Sequence, residues 1–274
     1  MLKKNTKKTF IIAEIGINHG GDINKAYKLI NAAKRSGADA VKFQTYITEK
    51  RVNKKSPIFE ILKKCELSFD EFQKINDYCK KINILFFSTP FDIQSSKFLI
   101  KELKVRLLKI ASFDSSNNDL ISEIKKYKTN VIMSVGLSNL NEIKSSVKKL
   151  SLTNNLALLH CITAYPINFD DANISVISNL KKQFPKNIIG YSDHTNGIFV
   201  PPLAVAAGAK IIEKHFMINR KDNVVDKAVS IDSKSFKKMV AEIRKIEKVL
   251  GEDKVKVRNV EKDFLIFKRK KILN

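Results

Sequence analysis

FIIAEIGINHGGDINKAYKLINAAKRSGADAVKFQTY (10–46) holds one complete unit of the fold. Its first apolar run reads as a strand over Thr9–Ile15, continuous rather than alternating, as a strand covered on both faces must be. Asn24–Ser36 then sets Ala26, Leu29, Ile30 and Ala33 at helical spacing. A second short apolar run, Ala40–Gln44, follows. Strand, helix, strand in this order implies parallel pairing.

The same alternation recurs along the chain. Further strands are expected at Ile84–Ser88, Leu107–Ile110, Asn130–Ser134, Leu156–Cys161, Ile188–Ser192 and Lys210–His215. Helical spacing fills the intervals at Ser68–Lys81, Ile93–Leu103, Leu120–Tyr127, Asn141–Leu150, Ile174–Phe184, Val200–Ala207 and Ser233–Leu250. Ser68 with Glu71 has the spacing of a capping box. Eight strand–helix units in about 250 residues predict an α/β fold, a single-domain (β/α)8 TIM barrel, with a doubly wound open sheet as the alternative. The barrel is expected over 9–251, after a basic extension at 1–8 and before a tail or linker stub at 252–274.

Composition narrows the function. The net charge of +23 raises the question of nucleic acid, but only seven of the 51 basic residues are Arg and the other 44 are Lys. They are spread along the chain, often in pairs on helix faces, which fits a solvated surface and no nucleic-acid partner. No apolar run approaches the roughly 20 residues that span a bilayer, and the N-terminus lacks the apolar core of a signal peptide. Three Cys without CxxC spacing fit a reducing cytoplasm.

In such a barrel, chemistry belongs at the C-terminal ends of the strands. Polar residues fall there on all eight: Glu14; Lys42 and Gln44; Thr89; Lys109 and Ser112; Ser134; Thr163 and Tyr165; Ser192, Asp193 and His194; Glu213 and His215. Lys42, Lys109 and Glu14 are costly inside apolar strands unless paired or bound to ligand. Two ammonium groups with the hydroxyls of Ser112, Ser134 and Ser192 suit a phosphate and a carboxylate together. His194 and His215, ending adjacent strands, suit one divalent ion, with Glu14 or Asp226 and water completing it. Lys42 or Lys109 as a Schiff-base lysine is the competing chemistry.

The motifs FIIAEIGINHGG (10–21), ADAVKFQTY (38–46), FFSTPFD (86–92), LKIAS (108–112), LLHCITAYP (158–166), IGYSDHT (189–195) and AAGAKIIEKHF (206–216) resemble the sialic acid synthase family. Its members include N-acetylneuraminate, legionaminate and pseudaminate synthases. The resemblance runs from about residue 9 to 250 and implies condensation of phosphoenolpyruvate with an N-acylated mannosamine-type sugar. The product would be a nine-carbon 2-keto acid, with phosphate released.

Carried over by position, the resemblance makes His194 and His215 the metal ligands, usually for Mn2+, with Mg2+ or Co2+ as alternatives. Asp226 falls near the metal water and the sugar, and Glu14 handles protons. Lys42, Gln44, Thr89, Lys109, Ser112, Ser134, Tyr165 and Ser192 hold phosphoenolpyruvate or line its pocket. It further implies a homodimer and an antifreeze-like domain that donates an Arg to the partner's sugar site. That linker would begin near Asn274, so a separately encoded domain is a possible partner. Thr163-Ala164 and Phe113-Asp114 depart from the family pattern where the sugar would be read. Two further readings are an acceptor that is a sugar phosphate, with Arg220 and Lys221 as candidate cations, and a non-catalytic barrel that only binds.

Overall fold

Eight parallel strands close on themselves in the order β1 to β8, with β1 pairing both β2 and β8. In this computed structural model, which describes residues 6–153 and 155–268, the strands are β1 Phe10–Gly16, β2 Ala40–Thr45, β3 Leu85–Pro90, β4 Leu107–Ile110, β5 Asn130–Ser134, β6 Asn155–His160, β7 Ile188–Asp193 and β8 Ile211–His215. The expected (β/α)8 barrel is therefore the fold, and the open sheet is excluded. Two expected strands recur unchanged, and the rest shift by one or two residues at an end.

The helices are α1 Ile23–Arg35, α2 Thr48–Arg51, α3 Phe59–Cys65, α4 Phe69–Lys81, α5 Ile93–Lys97, α6 Asn118–Ile124, α7 Leu140–Lys149, α8 Val176–Gln183, α9 Val200–Ala206 and α10 Ser233–Leu250. Side chains cap the N-termini of α1, α4, α5, α6, α7 and α10. Ser68 accepts from Glu71 N at 3.2 Å while the Glu71 carboxylate accepts from Ser68 N at 2.8 Å, the box anticipated for α4. The helix expected over Ile93–Leu103 instead passes after Lys97 into a π-helical turn, Phe98–Glu102. The short α2 and α3, between β2 and α4, were not anticipated: four and seven residues show too little of the helical period.

The period of two along each strand explains the interior. Ile12, Ala40, Phe87, Leu107, Ile132, Ala157, Leu159, Ile188 and Ile211 form one buried cluster filling the barrel. Two residues further on, the same rows become polar: Glu14 after Ile12, Lys42 after Ala40, Thr89 after Phe87, Lys109 after Leu107, Ser134 after Ile132 and Glu213 after Ile211. The alternate rows pack outward on the helices in a second, larger core. Gly190 interrupts the β7 row because a Cβ there would lie 2.5 Å from Leu159 Cδ2 and 2.6 Å from the Ile211 carbonyl oxygen. The fold is thus an apolar plug beneath a polar floor.

Beyond α10, residues 252–268 are exposed throughout. Residues 1–5 of the basic extension and 269–274 of the tail lie outside the described residues. Among the described residues, no helix is long and apolar enough to cross a membrane.

Candidate active site

The polar floor opens into a cavity of about 200 Å³ at the C-terminal mouth. The twelve residues to which the resemblance gives a role all line it: Glu14, Lys42, Gln44, Thr89, Lys109, Ser112, Ser134, Tyr165, Ser192, His194, His215 and Asp226. Asp193, also expected at the mouth, instead turns outward to pair with Lys214. Glu14 sits in register with Lys42 on one side and with His215 on the other. Neighbouring strand ends therefore deliver acid, base and imidazole to one place.

At the bottom lie four charged groups. Lys42 Nζ is 2.8 Å from Glu14 Oε2 and donates to Thr89 Oγ1 at 3.2 Å. Lys109 Nζ donates to Ser134 Oγ at 2.6 Å. Glu213 accepts from Ser192 Oγ at 3.0 Å and stands 3.7 Å from Lys42 Nζ and 3.8 Å from Lys109 Nζ. Its second oxygen has no hydrogen bond.

Burial disfavours every one of these charges, and the neighbours decide each outcome. Burial raises the Glu14 pKa, with Lys42 opposing it incompletely. For Lys42 the burial effect is outweighed by Glu14 and Glu213, and its pKa rises. Burial lowers Lys109, chiefly opposed by the more distant Glu213, while the Lys42 charge adds to the lowering. Glu213 is held low against burial by Lys109 and Lys42. A carboxyl group with elevated proton affinity thus lies beside a firmly protonated lysine, an arrangement suited to moving protons at a bound anion.

Two imidazoles stand over this floor, their ring centroids 5.7 Å apart. His194 Nδ1 lies 2.6 Å from the Ile162 carbonyl oxygen, which leaves Nε2 for the cavity. Burial, then His215, lowers its pKa to about 3, so it is a neutral ligand-competent ring at pH 7. His215 Nδ1 and Asp226 Oδ2 are 3.4 Å apart, both buried and neither hydrogen-bonded. For His215 the Asp226 and Glu14 carboxylates outweigh burial and raise the pKa. The donor set fits a divalent ion bound by two imidazoles with open positions for oxygen ligands. No group of three His, Cys, Asp or Glu closes around one point among the described residues. Tyr165 stands at the rim, its ring centroid 4.2 Å from that of His194.

Gly16 lets these groups converge. Its φ is +55°, and a Cβ there would lie 3.1 Å from Asp226 Oδ2, 3.2 Å from Glu14 Oε1 and 3.3 Å from Gln44 Nε2. Asn18 holds the loop above it, donating to the Phe216 carbonyl oxygen at 3.0 Å and to Ser230 Oγ at 2.9 Å, and accepting from Asp226 N at 2.9 Å.

Comparison with known proteins places this arrangement. The model of the NeuB family matches residues 29–255. The chain belongs to the NeuB family. An N,N'-diacetyllegionaminic acid synthase of Campylobacter jejuni is 38% identical over 90% of this chain and 78% of that protein. An uncharacterized protein of Methanocaldococcus jannaschii is 43% identical over 97% of this chain and 79% of its own length. The structure of an N-acetylneuraminic acid (sialic acid) synthetase from Leptospira borgpetersenii, in complex with citrate, superposes with a TM-score of 0.91 at 39% identity, covering 95% of this chain and 91% of that one. This NeuB-family chain is therefore similar to sialic and legionaminic acid synthases along almost its whole length.

Two charged lining residues were given no part in the sequence reading. Glu213 was noted at the end of β8 but given no part, although its place two residues before His215 puts both on the inward row. Arg51, on the unanticipated α2, carried no motif signal at all. Arg220, by contrast, bonds to the Ser230 carbonyl oxygen at 2.8 Å, and neither it nor Lys221 lines the cavity.

Proposed function

We propose that this chain condenses phosphoenolpyruvate with an open-chain N-acylated mannosamine-type sugar, giving a nine-carbon 2-keto acid and inorganic phosphate. The observation that carries the reading is the floor itself: two buried lysines ringed by Ser112, Ser134, Ser192 and Thr89, beneath two histidines on adjacent strands. Its support from kinship is the activity of the legionaminic and sialic acid synthases to which the chain is similar.

In this reading Lys42 and Lys109 neutralise the phosphate and carboxylate of phosphoenolpyruvate, and the hydroxyls orient it. C3 of the bound enol forms a bond to the acceptor's aldehyde carbon, and the resulting cationic C2 takes up water. The tetrahedral centre then collapses with cleavage of its C–O bond to phosphate. Glu14, with its raised pKa, accepts and returns the protons this requires, at the aldehyde oxygen and the attacking water. Asp226 and Tyr165 border the acceptor side.

On the floor Lys42 and Lys109 are matched by Glu14 and Glu213, so an incoming trianion finds no surplus of positive charge. A divalent ion held by His194 and His215, Mn2+ first with Mg2+ or Co2+ as alternatives, supplies that charge and polarises the aldehyde when bound.

The test is phosphate release from phosphoenolpyruvate against a panel of N-acylated amino sugars, with and without Mn2+. Phosphate and 2-keto acid should appear in equal amounts, and only with an acceptor present. A borohydride-reducible adduct on Lys42 or Lys109 would instead establish Schiff-base chemistry and contradict the reading.

A further inference from the structure

Arg51 stands at the mouth of the cavity, where a hydrogen-bonded line leads inward. Its Nη1 donates to Gln44 Oε1 at 3.1 Å, and Gln44 Nε2 donates to Glu14 Oε1 at 3.5 Å. The guanidinium plane is fixed by rings rather than by charge: its carbon lies 3.7 Å from the Phe91 centroid and 4.6 Å from that of Tyr46. No carboxylate comes within ion-pair distance of it among the described residues; Asp114 and Asp226 act on it only from further away. Gln44 is its one hydrogen-bond partner among those residues. A stacked guanidinium keeps its edge free, and that edge is a fork of donors shaped for oxygen pairs.

What it faces is the outer half of the site. Phe91, on which Arg51 rests, also lines an adjoining groove of about 630 Å³ between Lys50 and Leu120. A molecule longer than phosphoenolpyruvate that starts at the floor and extends toward this groove comes alongside Arg51. An open-chain amino sugar is such a molecule, with its aldehyde toward Glu14 and its substituents outward.

We propose that Arg51 is the acceptor-binding residue of this site, gripping an oxygen-bearing substituent of the amino sugar, a phosphate or an acyl carbonyl, and so setting which acceptor is used. The inference rests on the function proposed above. Phosphoenolpyruvate is held separately, deeper, by Lys42 and Lys109.

The experiment measures steady-state kinetics of wild type, Arg51→Met and Arg51→Lys with N-acetylmannosamine and with its 6-phosphate, alongside calorimetry of phosphoenolpyruvate. Arg51→Met should raise the acceptor KM by about ten- to a hundredfold while phosphoenolpyruvate affinity stays within about twofold. A loss confined to the 6-phosphate, partly restored by Lys, identifies phosphate as the group held. An equal loss with both sugars, not restored by Lys, identifies the acyl oxygen. Should Arg51→Met fail to fold, Arg51→Lys carries the comparison, because it keeps the charge and loses the fork. An unchanged acceptor KM, or a parallel fall in phosphoenolpyruvate affinity, would overturn the proposal. Wild-type protein that fails to bind phosphoenolpyruvate would overturn the underlying function, and this inference with it.

Discussion

At one rung of the β7–β8 ladder Ser192 faces Glu213, and at the next Asp193 faces Lys214. The first pair points into the barrel mouth and the second outward beneath the helices. Both rungs bury charge. Lys214 and Asp193 are fully inaccessible and well bonded: Lys214 Nζ donates to Asp193 Oδ2 at 2.6 Å and to the Thr195 carbonyl oxygen. Asp193 also accepts from Tyr191 Oη and from the amide and hydroxyl of Thr195. Glu213 keeps an oxygen with no hydrogen bond, and its lysines stand 3.7 and 3.8 Å off. Burial of charge does not by itself mark a functional site; charge that is buried and left under-bonded does.

The strongest challenge to that contrast is Lys214→Met. It strands the Asp193 carboxylate in a dry interior, which costs about 3–5 kcal/mol. Denaturant titration should show a loss of this size; a loss below about 1 kcal/mol would mean the outward pair is not structural. Lys109→Met should behave oppositely. Burial lowers the pKa of Lys109 as it does that of Lys214, but Glu213 stands 3.8 Å from Lys109 and keeps Lys42 at 3.7 Å, so removing Lys109 strands no carboxylate and should leave the melting temperature little changed. Phosphoenolpyruvate affinity should fall by the roughly 1.5–3 kcal/mol of a charged hydrogen bond, read by calorimetry.

His19 offers a way to break the rule, because its Nε2 is buried and unbonded yet lies outside the cavity. Burial lowers its pKa to about 4. The folded state therefore binds fewer protons than the unfolded one between an ordinary histidine value near 6.5 and 4, and stability falls as pH falls through that window. The deficit is about 2 kcal/mol at pH 5, and His19→Gln should remove it from the stability–pH curve. An unchanged slope would show that His19 is already protonated in the fold. His215, with its raised pKa, acts in the opposite sense, so the difference between variant and wild type isolates His19. The smallest effect is expected for Gly16→Ala: about 1–2 kcal/mol for the left-handed backbone, together with weakened turnover as Asp226, Glu14 and Gln44 give way. Full turnover would show that these three need no close placement.

The contrast also explains what could be read from sequence. The barrel was legible because the inward rows run apolar and then polar at the same period, strand after strand, as in Ile211, Glu213 and His215. Of the twelve candidate residues, Glu14, Lys42 and Lys109 were legible because a lysine or glutamate inside an apolar strand is conspicuous, and the rest because they end strands or were carried over from the family resemblance. Lys214 is equally conspicuous, and only the structure separates it from Lys42 and Lys109, because bonding partners from β7 and its following turn are not written in β8. Arg51 was not legible because α2 is a single turn, with neither a repeat nor a motif to place it over the mouth. Arg220 misled for the complementary reason: residue type suggested an anion, and the fold gives its guanidinium to a loop carbonyl.

One thermal measurement weighs both rungs at once: the rise in melting temperature that saturating phosphoenolpyruvate gives to wild type, Lys214→Met and Lys109→Met. A ligand that binds only the folded state stabilises it in proportion to the logarithm of ligand concentration over its dissociation constant. Wild type and Lys214→Met should gain the same increment from different starting points, and Lys109→Met should gain little or none. A full increment in Lys109→Met, or its loss in folded Lys214→Met, would contradict the assignment of the inward rung to substrate and the outward rung to structure.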